Sequence, residues 1–145
     1  RECWSSDTRP DPDPGLCFTL DDPKAIRPGL PLVVSINISL DIHRDVQTYA
    51  SSTLPEANVL KIALPRPSGH AVEDQAHATG IAVSIRDGLR TLWRDDSPSE
   101  IHVFLAAPSA VVLFLGHLWD RMPSTTVYWD LGQPGRYAPA FHIGI

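Results

Sequence analysis

The sequence has no long hydrophobic run, little cysteine and no excess of positive charge. No segment approaches the ~18 consecutive apolar residues that a membrane-spanning helix requires, and the first residues do not resemble a signal peptide. The formal net charge of −5 at pH 7 argues against a long duplex nucleic acid as partner, because such a partner needs a broad cationic surface. It is compatible with a small oligonucleotide, whose few phosphates can be met by helix N-termini and two or three arginines. We therefore expect a cytoplasmic protein with no membrane contact.

The residue patterns of common metal and cofactor sites are also missing. The two cysteines, Cys3 and Cys17, lie in an irregular N-terminal segment; they allow a disulfide, although free thiols are the expectation in the cytoplasm. The six histidines show neither H-x-x-x-H nor H-E-x-x-H spacing, so no metal is expected. G-x-G-x-x-G and G-x-x-x-x-G-K-[ST] motifs are absent, which excludes the familiar dinucleotide and nucleoside triphosphate sites, and no cofactor is expected.

A catalytic serine is not supported either. Ser109 can be combined on paper with a histidine and Asp130, but its context AAPSA lacks the G-x-S-x-G turn that exposes a nucleophile. The chain is therefore predicted to bind a small molecule without a catalytic activity of its own.

The 145 residues, 43% of them hydrophobic, are enough for one domain that buries roughly two-thirds of the surface of its unfolded chain. The chain begins with Arg1 rather than Met, as expected for a piece of a longer protein. Residues 1–30 alternate aspartate with proline and show no sustained period, which predicts a linker or extended arm. Within them, residues 16–20 (LCFTL) form one short apolar piece that could pair on a sheet edge.

Residues 31–145 are predicted to alternate strands with helices. Strands are expected at residues 32–40, 59–64, 101–107, 125–130 and 137–145, and helices at 41–52, 73–93 and 109–119. This alternation implies an α/β, Rossmann-like fold, with a mostly parallel sheet covered by helices on both faces. A short Gly-Pro turn before the last strand predicts a C-terminal antiparallel hairpin.

The most informative stretch runs from Ile101 to Trp119 (IHVFLAAPSAVVLFLGHLW), where a strand passes directly into a helix. A second junction, Ser39 to His43, follows the first predicted strand. Parallel strands end at the same edge of a sheet. Helix N–H groups at that edge bind small, often anionic ligands, and small side chains let such ligands approach the backbone closely. The alternative is plain helix capping by Asp41 and Ser109.

The helix at 109–119 is apolar on nearly every face, so we expect it to lie between two layers or at a subunit contact. Two residues at its end are open to two interpretations. Trp119 belongs either to the core or to a base-stacking platform, and Arg121 is either a surface charge or a phosphate partner.

Several segments carry a pattern that periodicity alone would not dictate, notably at His102 and Pro108. The segments are Ile101–Ala110, Leu115–His117, Thr126–Tyr128, Ser35–Asp45 and the helix around Gln75–Ala78. Together they resemble the C-terminal half of SAVED domains, which are sensors fused to effectors in bacterial anti-phage systems. The resemblance covers about residues 30–145.

The resemblance implies a CARF-like unit that binds a cyclic oligonucleotide second messenger, such as a cyclic oligoadenylate, in CBASS or type III CRISPR defence. Binding would switch on a fused or associated effector, commonly through ligand-driven oligomerisation. The ligand-binding residues implied are Ser39, Asp41, Ile42, Ala107, Pro108, Ser109, Trp119 and Arg121. A full SAVED domain holds two such units, so a missing N-terminal part, a second copy or another subunit would supply the other.

Two other functions remain open. A ring nuclease or other hydrolase acting on the messenger would need a base at the rim, for which His43 is the only candidate. A purely structural assembly domain would use the 109–119 helix for contacts and would be indifferent to ligand.

Overall fold

The computed structural model describes residues 13–22, 29–94, 96–132 and 136–144. These residues form one six-stranded sheet and three helices. In chain order the elements are β1 (Cys17–Leu20), β2 (Leu32–Asn37), α1 (His43–Thr53), β3 (Asn58–Ala63), α2 (Gln75–Trp93), β4 (Ile101–Ala106), α3 (Ser109–His117), β5 (Thr125–Asp130) and β6 (Tyr137–Ile143).

The strands are arranged in the order β1-β3-β2-β4-β5-β6. The four central strands are parallel, whereas β1 runs antiparallel to β3 and β6 runs antiparallel to β5. The predicted Rossmann-like fold with a C-terminal hairpin is therefore confirmed. The short apolar piece at residues 16–20 does pair at an edge, as β1. The predicted domain boundary at residue 30 stays a prediction, and most of the Asp/Pro-rich stretch lies outside the described residues.

Helices cover both faces of the sheet. On one face α2 and α3 pack against alternate residues of the central strands, represented by Val34, Ile62 and Val103. On the other face α1 packs against Val33 and Phe104. Strands buried on both faces are expected to be continuously apolar, and β2 is fully buried along its length.

Several predicted boundaries were too long. β2 ends at Asn37 rather than at residue 40, because the N–H groups of Ile38 and Ser39 both bond to the carbonyl of Ala106, at 2.8 Å each, and the chain turns away. Helix α1 begins two residues later than predicted, α3 ends at His117, and the last strand ends at Ile143.

Helix α3 is apolar on nearly every face, as its sequence indicates, but it is buried on one face only. Val111, Phe114 and Leu115 are buried, but the side chain of Leu113 is 71% exposed. Beside it runs an apolar groove between α3 and the β5–β6 hairpin. We call this surface the α3 groove; its walls include Val112, Gly116, Val127, Phe141 and Ile143. Of the two predicted alternatives, an outward apolar surface fits a contact better than burial between layers.

Candidate functional site

Strands β2 and β4 are parallel neighbours whose following helices pack on opposite faces of the sheet. The loops that leave them, residues 38–42 and 107–108, therefore diverge at the carboxyl edge. This is a topological switch point, where open α/β sheets bind ligands. We call the part of this edge that lies between the two loops the crevice. Of the predicted residues, Ser39, Asp41, Ala107 and Pro108 belong to the two loops and Ser109 begins α3, and all five are partly or fully exposed.

The N-terminus of α3 is open at the crevice. Pro108 occupies the cap position with φ −60° and ψ 149°, and no side chain in the described part of the chain caps the helix. The first intrahelical bond is donated by the N–H of Val112 to the carbonyl of Pro108. Ser109 is exposed and does not cap the helix, so the capping alternative does not hold for it. The N–H groups of the first turn can bind an anion by donating hydrogen bonds to it.

The N-terminus of α1 is already occupied. The N–H of Ile42 donates to Asn37 Oδ1 at 2.7 Å, and the N–H of His43 donates to Asp41 Oδ1 at 3.0 Å. The hydrogen bond from His43, and then Lys61 Nζ at 3.1 Å, hold the pKa of Asp41 below its ordinary value of 3.8. Asp41 is thus a carboxylate just outside the helix. The expectation that the start of α1 faces a phosphate stays a prediction, and the two hydrogen bonds and the Asp41 carboxylate make α3 the better candidate.

A buried polar network lies beneath this end of α1. Ser35 Oγ lies 2.7 Å from His43 Nδ1, and His43 Nε2 lies 2.8 Å from Asp21 Oδ1. The three side chains have the connectivity of a catalytic triad, but Ser35 is fully buried and no substrate can reach its hydroxyl. Both ring nitrogens of His43 are engaged, so the ring offers no free base to the crevice.

Three predicted ligand residues are not brought to the crevice. The side chain of Ile42 is buried in the core beneath α1. Trp119 and Arg121 follow the far end of α3, at the opposite edge of the sheet. There Trp119 Nε1 donates to Thr125 Oγ1 at 2.9 Å, while the Arg121 side chain projects into solvent with a left-handed backbone (φ 57°).

Sequence reasoning missed Asn37, Ser35 and Lys61. The first two were taken as the polar positions of an alternating strand, yet both are fully buried. The signal was present, because a polar residue in a strand with helices on both sides must find a buried partner. The side chain of Lys61 reaches Asp41 only because β3 lies beside β2 in the sheet.

The described residues contain no group of three or more histidines, cysteines, aspartates or glutamates arranged to hold a metal ion. Among the helices that the structure describes, none is both long and apolar enough to cross a bilayer. Cys17 is exposed on β1 and Cys3 lies outside the described residues, so their redox state stays a prediction.

A family model described as "SMODS-associated and fused to various effectors sensor domain" matches residues 1–143. The chain is therefore a sensor domain. It belongs to the SAVED family, and the match extends further toward the N-terminus than the residues that first indicated it.

Solved structures of Cap4 from Acinetobacter baumannii, a SAVED/CARF-domain containing receptor, share the fold. The complex with the cyclic trinucleotide 2′3′3′-cAAA aligns with a TM-score of 0.75 at 18% identity, covering 97% of this chain and 30% of that chain. The complex with 3′3′3′-cAAA gives 0.70 and 19%, covering 88% and 28%. A third structure of the receptor gives 0.68 and 18%, covering 98% and 28%. The chain thus spans less than a third of these receptors. No curated protein matches it.

Proposed function

We propose that the chain binds a cyclic oligonucleotide in the crevice and serves as the sensing part of a bacterial anti-phage effector. The observation that carries the proposal is the uncapped N-terminus of α3 at the switch point of the sheet. Membership of the SAVED family and the likeness in fold to a receptor for cyclic trinucleotides support it. The cytoplasm is the proposed location, since such messengers are made inside the infected cell.

A phosphate of the ligand would bind the N–H groups at the start of α3, between Pro108 and Val111. Ala107 is small enough for the ligand to approach the backbone closely. The Asp41 carboxylate repels phosphates, so we assign it to a hydroxyl or amino group of the ligand, with Lys61 beside it available to a second phosphate. Trp129, which is 65% exposed at the carboxyl end of β5, replaces Trp119 as the aromatic candidate for base stacking.

Sensing without turnover is the proposed mode of action. A ring nuclease would need a base near the phosphates, and the only candidate from the sequence, His43, is buried with both ring nitrogens hydrogen-bonded. This arrangement favours the sensor over the hydrolase.

Self-association, or pairing with a second SAVED-type unit, is proposed through the α3 groove. Its lining is apolar and includes Phe141, whose side chain is 55% exposed. Exposed apolar surface of this kind marks interaction sites. Sedimentation of the Phe141→Glu variant tests this part: loss of ligand-dependent association supports it, and association that ignores both ligand and variant favours an assembly domain.

The binding proposal is tested by calorimetric titration of the chain with cyclic di-, tri- and tetranucleotides, with linear forms as controls. Ser109→Pro removes one N–H at the first helical position, where proline is tolerated and where the extended conformation of Pro108 already suits it. Ser109→Ala removes only the hydroxyl and is the matched control. We expect one ring to bind without turnover, and Ser109→Pro to weaken that binding at least tenfold more than Ser109→Ala. Equal effects, or no ring bound, would contradict the proposal.

A further inference from the structure

We infer that Asp21, which directly follows the edge strand β1, is a positioning residue for the crevice. It acts through the first turn of α1, which lies between Asp21 and the crevice. The inference rests on the proposed function, because the crevice is its ligand site. It assigns a role in ligand affinity to a side chain that does not contact the ligand, and it connects the crevice to the N-terminal strand.

Asp21 is joined to the sheet and to α1 at the same time. Its N–H donates to the carbonyl of Val59 at 2.9 Å. Its carboxylate takes one bond on each oxygen, from His43 Nε2 at 2.8 Å and from Gln47 Nε2 at 2.7 Å. The two partners are one helical turn apart, so a single carboxylate fixes the orientation and position of the first turns of α1 relative to the sheet.

From His43 the contacts continue to the loop that forms one wall of the crevice. His43 Nδ1 meets Ser35 Oγ at 2.7 Å, and Ser35 Oγ in turn meets Asn37 Nδ2 at 3.2 Å. The other end of the same amide, Asn37 Oδ1, accepts the N–H of Ile42 at 2.7 Å. Four side chains thus connect the end of β1 to the last residue of loop 38–42.

The chemistry of Asp21 sets the direction of its bond to His43. A carboxylate only accepts hydrogen bonds, so His43 Nε2 carries a hydrogen and donates to Asp21 Oδ1. This bond holds the imidazole ring, and with it the residue that directly follows Ile42, in one orientation.

Removing the Asp21 carboxylate releases this hold. The first turns of α1 would lose their anchor to β1, while the Asn37 amide stays bound to the carbonyls of Ser35 and Ile62 at 3.2 Å each. The N–H of Ile42, at the start of the loosened helix, would then separate from Asn37 Oδ1 more often. Loop 38–42 would then sample other positions and the crevice would lose a fixed wall. By linkage, a ligand that fixes this loop must also protect β1.

The test compares Asp21→Ala with Asp96→Ala in the full chain. Asparagine at position 21 would still offer an oxygen to His43 Nε2, so alanine is needed to remove the acceptor. Asp96 is exposed in the turn after α2, so the control removes a carboxylate outside the network. Amide hydrogen exchange without ligand should show Ile42 exchanging roughly tenfold faster in Asp21→Ala only, with core amides such as that of Val34 unchanged. Affinity for 3′3′3′-cAAA, or for whichever ring binds best, should fall roughly fivefold in Asp21→Ala, within the range of typical coupling between sites. Asp21→Asn, which keeps an acceptor, should recover part of the loss.

Unchanged exchange of Ile42 in Asp21→Ala would overturn the inference, whatever the affinity. Faster exchange with unchanged affinity would also overturn it, because Asp21 would then be merely structural. If the wild-type chain binds no ring, the proposed function fails, and the exchange of Ile42 alone decides the positioning role. If Asp21→Ala does not fold, Gln47→Leu removes only the exposed half of the same contact, and a smaller change in the same direction is expected.

Discussion

The hydroxyl of Tyr128 lies 2.7 Å from Nδ1 of His102, within an aromatic cluster on the α1 face of the sheet. Phe104 stacks on Tyr128 with ring centroids 4.4 Å apart, and Tyr137 meets Phe104 edge-on at 4.9 Å. The Tyr137 hydroxyl is equally buried but has no hydrogen-bond partner in the part of the chain that the structure describes. Two tyrosines in one cluster therefore differ in whether their polar atom is satisfied.

Replacing each of these tyrosines by phenylalanine should change stability in opposite directions. Tyr137→Phe removes a buried hydroxyl without a partner and should raise the free energy of unfolding by about 1 kcal/mol. Tyr128→Phe leaves His102 Nδ1 unpaired and should lower it by about 1–3 kcal/mol. Urea unfolding with an unchanged m-value measures both effects. A loss of stability in Tyr137→Phe would mean that the hydroxyl has a partner after all.

Stability should also fall steeply in alkali. Burial, as the largest cause, raises the pKa of Tyr128 and of Tyr137 from 10.0 to about 12. In the unfolded chain both tyrosines lose their protons near pH 10, whereas in the folded chain they keep them. The unfolded state therefore binds fewer protons between these values, and the stability present below pH 10 is lost as pH rises toward 12. Melting temperatures across this range should fall less in Tyr137→Phe; equal slopes would contradict the assignment.

Introducing a carboxylate at the start of α3 should raise the stability of the fold while it weakens ligand binding. Ser109→Asp complements the helix dipole and should stabilise the fold by about 0.3–1 kcal/mol. The same charge competes with a ligand phosphate for the N–H groups of the first turn, so binding should fall more than tenfold. Ser109→Asn is the neutral control of the same shape. Thermal melts measure the stability of both variants, and calorimetry measures their affinity for the ligand. Undiminished binding by Ser109→Asp would show that the start of α3 does not contact the ligand.

Two helical glycines provide a test of how β1 is held. A Cβ on Gly88 of α2 would overlap the ring of Phe18 on β1, whereas one on Gly116 of α3 meets nothing within 4 Å. Gly88→Ala should therefore destabilise the chain by about 1–3 kcal/mol and expose β1 to proteolysis. Gly116→Ala should gain up to about 1 kcal/mol from helix propensity. Equal gains in both variants would show that Phe18 does not hold β1 in place.

The sequence was sufficient for the types and order of the elements, because β-branched runs and three- to four-residue periods are local signals. The end of β2 was not predictable, since it is set by the carbonyl of Ala106 on another strand. The open end of α3 and the occupied end of α1 look alike in sequence. They differ through Asn37, the last residue of β2, and through Lys61 on the neighbouring strand β3.

The position of Trp119 and Arg121, away from the crevice, has a different origin. A helix that follows a parallel strand runs back to the opposite edge of the sheet, so residues after its last turn cannot share a rim with residues before its first. That argument was available without coordinates. The pairing of Asp21 with His43 was not, because it joins β1 to α1 across the sheet.

The ion pair between Lys61 and Asp41, 3.1 Å apart, has a consequence for the conditions under which binding works. A ligand phosphate beside Lys61 would meet a cation whose charge Asp41 already balances, and the backbone amides of α3 carry no net charge. Few mobile counterions would then be released when the ligand binds. Binding of a cyclic oligonucleotide at this edge should therefore depend less steeply on ionic strength than the binding of duplex DNA does.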